Sequence, residues 1–167
     1  NLSGFEGDVC PESLVEHVAN GQISRHDRFG CYDGDKDGYS NPTSNWVSHP
    51  EGFADAFADD PSQWHDTDGD GYGDNMEWFS EGGMVPAYRG DSCIATPGTS
   101  TDDRWGCPDS DGDGWSNPTW DWLASPQGLA DAWSDDETQW HDRDSDGYGD
   151  NPMGTTADVC PDSAGTS

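Results

Sequence analysis

A mostly irregular, tandemly repeated and elongated fold with short helices and few strands is what this 167-residue sequence predicts. Three observations carry that expectation. Four stretches place an aspartate at every second position and then a glycine: Asp33-Asp35-Asp37-Gly38, Asp66-Asp68-Asp70-Gly71, Asp109-Asp111-Asp113-Gly114 and Asp142-Asp144-Asp146-Gly147. Residues 28–75 align with residues 104–151 without a gap at an offset of 76. The aliphatic inventory is thin, with two isoleucines and four leucines beside nine tryptophans, five tyrosines and five phenylalanines.

The loops come first because their chemistry is the most specific. A hard cation such as Ca²⁺ takes six to eight oxygens in flexible geometry, and carboxylates at positions 1, 3 and 5 can curl around one ion if position 6 turns sharply, as glycine allows. At least four calcium ions are therefore expected. Numbered this way, loop 2 offers Asp66, Asp68, Asp70, the Tyr72 carbonyl, Asp74 at position 9 and Glu77 at position 12, the full EF-hand order of ligands. Loop 4 offers Asp142, Asp144, Asp146, the Tyr148 carbonyl and Asp150, but Met153 stands at position 12, so its last ligand is sought farther on, at Asp158. Loops 1 and 3 carry Asn41 and Asn117 at position 9, with the Tyr39 and Trp115 carbonyls at position 7. They need further acids, and the nearest repeated ones are Asp55 and Asp59, and Asp131 and Asp135.

The formal charge of −29, with only 6 Lys plus Arg, disfavours nucleic acid and anionic membranes as partners. The acidity is concentrated in the loops, whereas a salt-adapted surface would spread it over exposed faces. Low hydrophobicity with high charge ordinarily signals disorder. Here the regular spacing of Trp, Cys and Asp argues that order is conditional on metal, since domains short of aliphatic core lean on metals or disulfides.

The repeat divides the chain into a partial repeat at 1–27, unit 28–75 with two loops, an inserted linker and Cys segment at 76–103, unit 104–151 with two loops, and the start of a further repeat at 152–167. Asn1 to Pro11 matches Asn151 to Pro161, so both ends read as repeats cut open, in a longer chain or a head-to-tail homopolymer. Within each unit a short helix is expected near 50–58 and 126–134, started by proline and carrying Phe53 and Phe57, or Leu129 and Trp133, at i, i+4 spacing. That helix would put Asp55 and Asp59, and Asp131 and Asp135, on one face. One insertion holds a predicted helix from Glu12 to Asn20, terminated by Gly21. The other, between Asn75 and Asp91, contains Trp78, Phe79, Met84, Val85 and Tyr88.

Asp-x-Asp-x-Asp-Gly-x-Gly-Asp followed by Asp-x-Cys-Pro, present as Asp142 to Asp150 with Asp158-Val159-Cys160-Pro161, resembles the thrombospondin type-3 repeat. The likeness covers the loops and cysteine segments, about half the chain. It implies an elongated extracellular module of calcium-lined loops and disulfides with scarcely any conventional core. The long Trp-rich spacer between paired loops departs from that pattern. An EF-hand or dockerin reading needs a helix running out of each loop, which Asn41-Pro42 and Asn117-Pro118 forbid.

Five cysteines in a small chain, with loops suited to extracellular calcium, point to an oxidising location outside the cell or on its surface. Cys10 with Cys31, and Cys93 with Cys107, bracket the segments leading into loops 1 and 3 at equivalent places, although other pairings are arithmetically open. Cys160 is left to a partner beyond this segment. His65 and His141 lack neighbours at zinc-ligand spacing and are read as packing residues. Trp46, Trp64, Trp122 and Trp140 recur and are expected to pack. Trp78 and Trp120 do not, and would suit a glycan or another subunit. Asn1-Leu2-Ser3 is a glycosylation sequon. No nucleophile, base and orienting group converge, so an enzyme is not expected. A self-assembling structural protein leads, ahead of an adhesive or carbohydrate-binding module and an accessory domain of a secreted hydrolase.

Overall fold

The structure is a computed structural model in which residues 9–10, 15–80, 83–86 and 90–165 are described, those at 15, 77–80 and 83–86 by backbone alone. Regular structure among them is confined to helix α1 (Val15–Ala19) and an antiparallel hairpin of β1 (Glu77–Ser80) and β2 (Gly83–Pro86), paired Trp78 to Val85 and Phe79 to Met84. Helix α1 ends where the sequence places its stop. Gly21 takes φ +71°, and Gln22 and Gly21 donate to the His17 and Val18 carbonyls at 2.8 and 3.2 Å, the two closing bonds of a Schellman cap. The expected start of that helix, Glu12 to Leu14, lies outside the described residues, as does Asn1. The hairpin was not expected. Two apolar pairs, Trp78-Phe79 and Met84-Val85, on either side of Gly82 and Gly83 are its sequence signal.

The chain gathers into two compact units, Asn1–Ile94 and Ala95–Ser167, each carrying two of the aspartate loops. The boundary falls inside the stretch read from sequence as a linker.

The short helices expected near 50–58 and 126–134 do not form. Pro50 and Pro126 follow cis peptide bonds, and the chain closes a small loop there instead, bridging Ser48 to Ala54 and Ala124 to Ala130. The reason is where the amides go. Those of Ala54, Asp55 and Ala56 donate to the carbonyls of Val47, Ser40 and Trp64, each at 3.0 Å, and those of Ala130, Asp131 and Ala132 to Leu123, Ser116 and Trp140, also at 3.0 Å. Non-local pairing of obligatory backbone donors overrides the i, i+4 pattern. A Cβ on Gly52 or Gly128 would sit 2.2 or 2.1 Å from the Val47 or Leu123 carbonyl oxygen, so these turns require glycine. Phe53 is consequently exposed, as is Leu129.

The interior is polar. Among described residues the buried hydrophobic side chains are Cys31, Ala54, Cys107 and Ala130, while the largest fully buried ones are Gln63 and Gln139. Gln139 mirrors Gln63: its Oε1 accepts the Asn151 amide at 3.0 Å and its Nε2 donates to the Asn151 carbonyl at 3.0 Å. The recurring tryptophans are half-buried rather than sealed in a core. Asp27 and Asp103 explain two of them: the Trp46 and Trp122 indoles donate to these carboxylates at 3.3 and 2.9 Å, and Arg28 and Arg104 lie over the rings at 5.1 and 4.9 Å.

Cys10 and Cys31 are bridged, Cys93 and Cys107 are also disulfide-bonded, and Cys160 is free and exposed. Two disulfides in a chain this short point to a non-cytoplasmic protein. Among described residues no helix is long and apolar enough to cross a membrane.

Candidate metal centres

Each loop is folded by its own aspartates. The position-1 carboxylate spans the turn, Asp33 Oδ1 accepting the Lys36 amide at 2.7 Å and its Oδ2 the Gly38 amide at 3.0 Å. Asp66 receives Gly69 and Gly71 at 2.7 and 3.0 Å, Asp109 receives Gly112 and Gly114 at 2.8 and 3.0 Å, and Asp142 receives Ser145 and Gly147 at 2.7 and 3.0 Å. The position-6 glycines take φ between +87° and +104°, as a turn this tight demands. Position 5 then accepts the position-7 amide: Tyr39, Tyr72, Trp115 and Tyr148 donate to Asp37, Asp70, Asp113 and Asp146 at 2.7, 2.9, 2.8 and 3.0 Å. That bond fixes the residue whose carbonyl is the expected ligand.

The result is convergence. In every triplet the potential ligand oxygens lie within 4.8 Å of one another. Two ionised carboxylates at that distance repel by about 3 kcal/mol at an effective dielectric of about 20, a repulsion that a bound cation would offset.

A fourth carboxylate reaches each loop by one shared device. Asp55, Asp91, Asp131 and Asp158 donate their backbone amides to the position-8 carbonyls of Ser40, Gly73, Ser116 and Gly149 at 3.0, 2.7, 3.0 and 2.8 Å. Each then accepts, on Oδ1, the amide two residues on: Phe57 at 2.7, Cys93 at 2.6, Trp133 at 2.8 and Cys160 at 2.8 Å. All four aspartates are buried. The Oδ2 atoms of Asp55, Asp91 and Asp131 are buried with no hydrogen-bond donor, as are those of Asp35 and Asp37 in loop 1, Asp111 and Asp113 in loop 3, and Asp144 in loop 4. Buried carboxylate oxygens without donors keep acceptor capacity that a cation could take up.

The electrostatics agree. Burial, opposed by the amide bond and reinforced by neighbouring carboxylates, pushes Asp37 up to about 8, Asp55 and Asp131 to about 7, and Asp35, Asp91 and Asp113 to about 6. Asp27 and Asp103 show the contrast. They are also partly buried, yet hydrogen bonds from Ser40 and Trp46, and from Ser116 and Trp122, hold them below the ordinary value.

The position-9 residues brace the loops. Asn41, Asp74, Asn117 and Asp150 accept the position-2 amides of Gly34, Thr67, Ser110 and Arg143 at 2.6, 2.8, 3.2 and 3.3 Å. Asp59 and Asp135 are exposed, four residues past the buried acids and without the helix that would have aligned them. The Glu77 side chain lies outside the described residues; among the described acids Asp91 interacts with Asp68, Asp70 and Asp74. Its sequence signal was present, because Asp91-Ser92-Cys93 echoes Asp158-Val159-Cys160. Asp27 and Asp103 also recur at the offset of 76, one residue before the aligned stretch. His65 and His141 pack on the position-7 rings of Tyr39 and Trp115, with centroids 5.4 and 4.3 Å apart.

These donor sets could hold a metal ion, and being all oxygen and anionic they are of the kind that hard divalent cations take. Comparison with known protein families, curated proteins and solved structures finds no match to the chain.

Proposed function

We propose that this chain is a structural calcium-binding protein of the extracellular space or cell surface, an elongated tandem repeat that joins end to end into a filament, stalk or surface layer. The observation that carries the calcium reading is the convergence of each Asp triplet, its ligand oxygens within 4.8 Å of one another, with a further buried aspartate bonded through its amide to the position-8 carbonyl of the same loop. Loop 1 is held by Asp33, Asp35, Asp37 and Asp55, loop 2 by Asp66, Asp68, Asp70 and Asp91, loop 3 by Asp109, Asp111, Asp113 and Asp131, and loop 4 by Asp142, Asp144, Asp146 and Asp158. The position-7 carbonyls complete each set. Bound calcium offsets the carboxylate repulsion and takes the place of a hydrophobic core, so its binding energy is folding energy.

Assembly is supported by the 76-residue sequence repeat and by Cys160, free and exposed where the corresponding Cys10 and Cys93 are bonded. A head-to-tail contact that does not close on itself propagates into a filament. The thrombospondin type-3 likeness of the loops suits the same role. Electron microscopy of the purified protein in calcium tests it: filaments that loosen on chelation support assembly, and a monodisperse calcium-loaded monomer at high concentration with a free Cys160 thiol refutes it. An adhesive module that binds glycan is the second reading, favoured by Trp120, which is 90% exposed.

A further inference from the structure

Resting on the calcium reading above, we infer that the two loops within each unit bind calcium as a coupled pair, with the position-7 ring of the first loop pressing on the residue that enters the second. In the unit Ala95–Ser167, Trp115 occupies position 7 of loop 3, and its ring meets His141 edge-on at 4.3 Å and 67°. His141 directly precedes Asp142, the first ligand of loop 4, and its carbonyl accepts the amide of Asp150, the brace of that loop, at 2.8 Å. A second strand of contact runs beside it. Asp131, the fourth carboxylate of loop 3, is followed by Ala132, whose amide bonds the Trp140 carbonyl at 3.0 Å, two residues ahead of Asp142.

The same two connections occur in the unit Asn1–Ile94. Tyr39, at position 7 of loop 1, stacks on Trp64 at 5.3 Å and 9° and meets His65 edge-on at 5.4 Å and 63°. Ala56, after the fourth carboxylate Asp55, bonds the Trp64 carbonyl at 3.0 Å, and the Asp74 amide bonds the His65 carbonyl at 2.9 Å. An ion in the first loop holds the position-7 carbonyl and the fourth carboxylate at once. The position-7 ring, and the residue after the fourth carboxylate, Ala56 or Ala132, are tied to the two positions that set the entry angle of the second loop. Ordering one loop therefore lowers the conformational cost of ordering the other, and the coupling is reciprocal.

The test follows each site through its own glycine amide, Gly114 for loop 3 and Gly147 for loop 4, by NMR during calcium titration of the full chain. In the native protein the two resonances move over one calcium range, more steeply than a one-site curve. In His141→Ala, which deletes the ring and keeps the backbone bonds, the midpoints separate by about fivefold or more, the lower end of ordinary coupling. His141→Phe, which keeps a ring against Trp115, holds them together. Midpoints that stay together in His141→Ala, or that separate equally in His141→Phe, overturn the inference while leaving the sites intact. Glycine amides that do not respond to calcium at all overturn the calcium reading itself.

Discussion

Gln63 is clasped by Asn75: its Oε1 accepts the Asn75 amide at 3.0 Å and its Nε2 donates to the Asn75 carbonyl at 2.8 Å. The Asn75 side chain returns a bond to the Ser62 carbonyl at 3.0 Å, and Gly73 lies so close that an added Cβ would sit 2.0 Å from Gln63 Oε1. An amide thus stands where an ordinary domain would place a leucine. Gln63→Leu keeps the volume but leaves the Asn75 amide and carbonyl without that partner, at a cost of roughly 2–4 kcal/mol. Phe53→Ser, at a side chain 70% exposed, changes stability by less than about 0.5 kcal/mol. Denaturant melts of the calcium-loaded protein check both. A harmless Gln63→Leu beside a damaging Phe53→Ser would mean that the core is apolar after all.

The acid proposed as the fourth carboxylate of loop 2 is tested by its own variant. Asp91→Asn weakens calcium at that loop by at least about tenfold, because it removes one carboxylate from a site tuned by ligand charge. Calorimetric titration decides the matter, and an unchanged affinity would remove Asp91 from the ligand set.

Much of this architecture is legible in the sequence, and what is not has a physical cause. The Asp triplets and their glycines are local chemistry, so spacing alone locates them. Of the fourth carboxylates, Asp55, Asp131 and Asp158 are legible as candidate ligands from the repeat, while Asp91 is not among the expected ligands; the amide-to-carbonyl bonds that set all four, such as Asp55 with Ser40, join positions that no short window contains. The stretch after Pro50 looks helical because Phe53 and Phe57 fall four apart, yet its amides are committed elsewhere. Asp27 is invisible to a search for ligands because its partners are Ser40 and the Trp46 indole.

Protons and calcium act in opposite directions on stability. In the metal-free fold Asp37 is pushed up to about 8, Asp55 and Asp131 to about 7, and Asp35, Asp91 and Asp113 to about 6, from 3.8. A carboxyl whose folded value exceeds its unfolded one stabilises the fold fully below the unfolded value, and that contribution is lost as pH rises through the folded value. Metal-stripped protein therefore gains ordered structure as pH falls from about 8 to about 5, read in the near-UV aromatic signal. Calcium-loaded protein shows the opposite slope over this range, since binding requires the ionised carboxylates. Stability that rises with pH in the metal-stripped chain would contradict the buried clusters.

The central claim is that calcium organises the fold, and counting ions while watching the aromatic signal tests it most directly. Elemental analysis and calorimetry on the native chain should give at least four calcium ions, one for each Asp triplet with its fourth carboxylate. Excess chelator at neutral pH should then abolish the near-UV signal of the tryptophans, and added calcium should restore it. A chain that holds fewer than about two ions, or keeps its aromatic signal in chelator, would contradict the account, because the fold would then be ordered without the ions to which binding and folding are here tied.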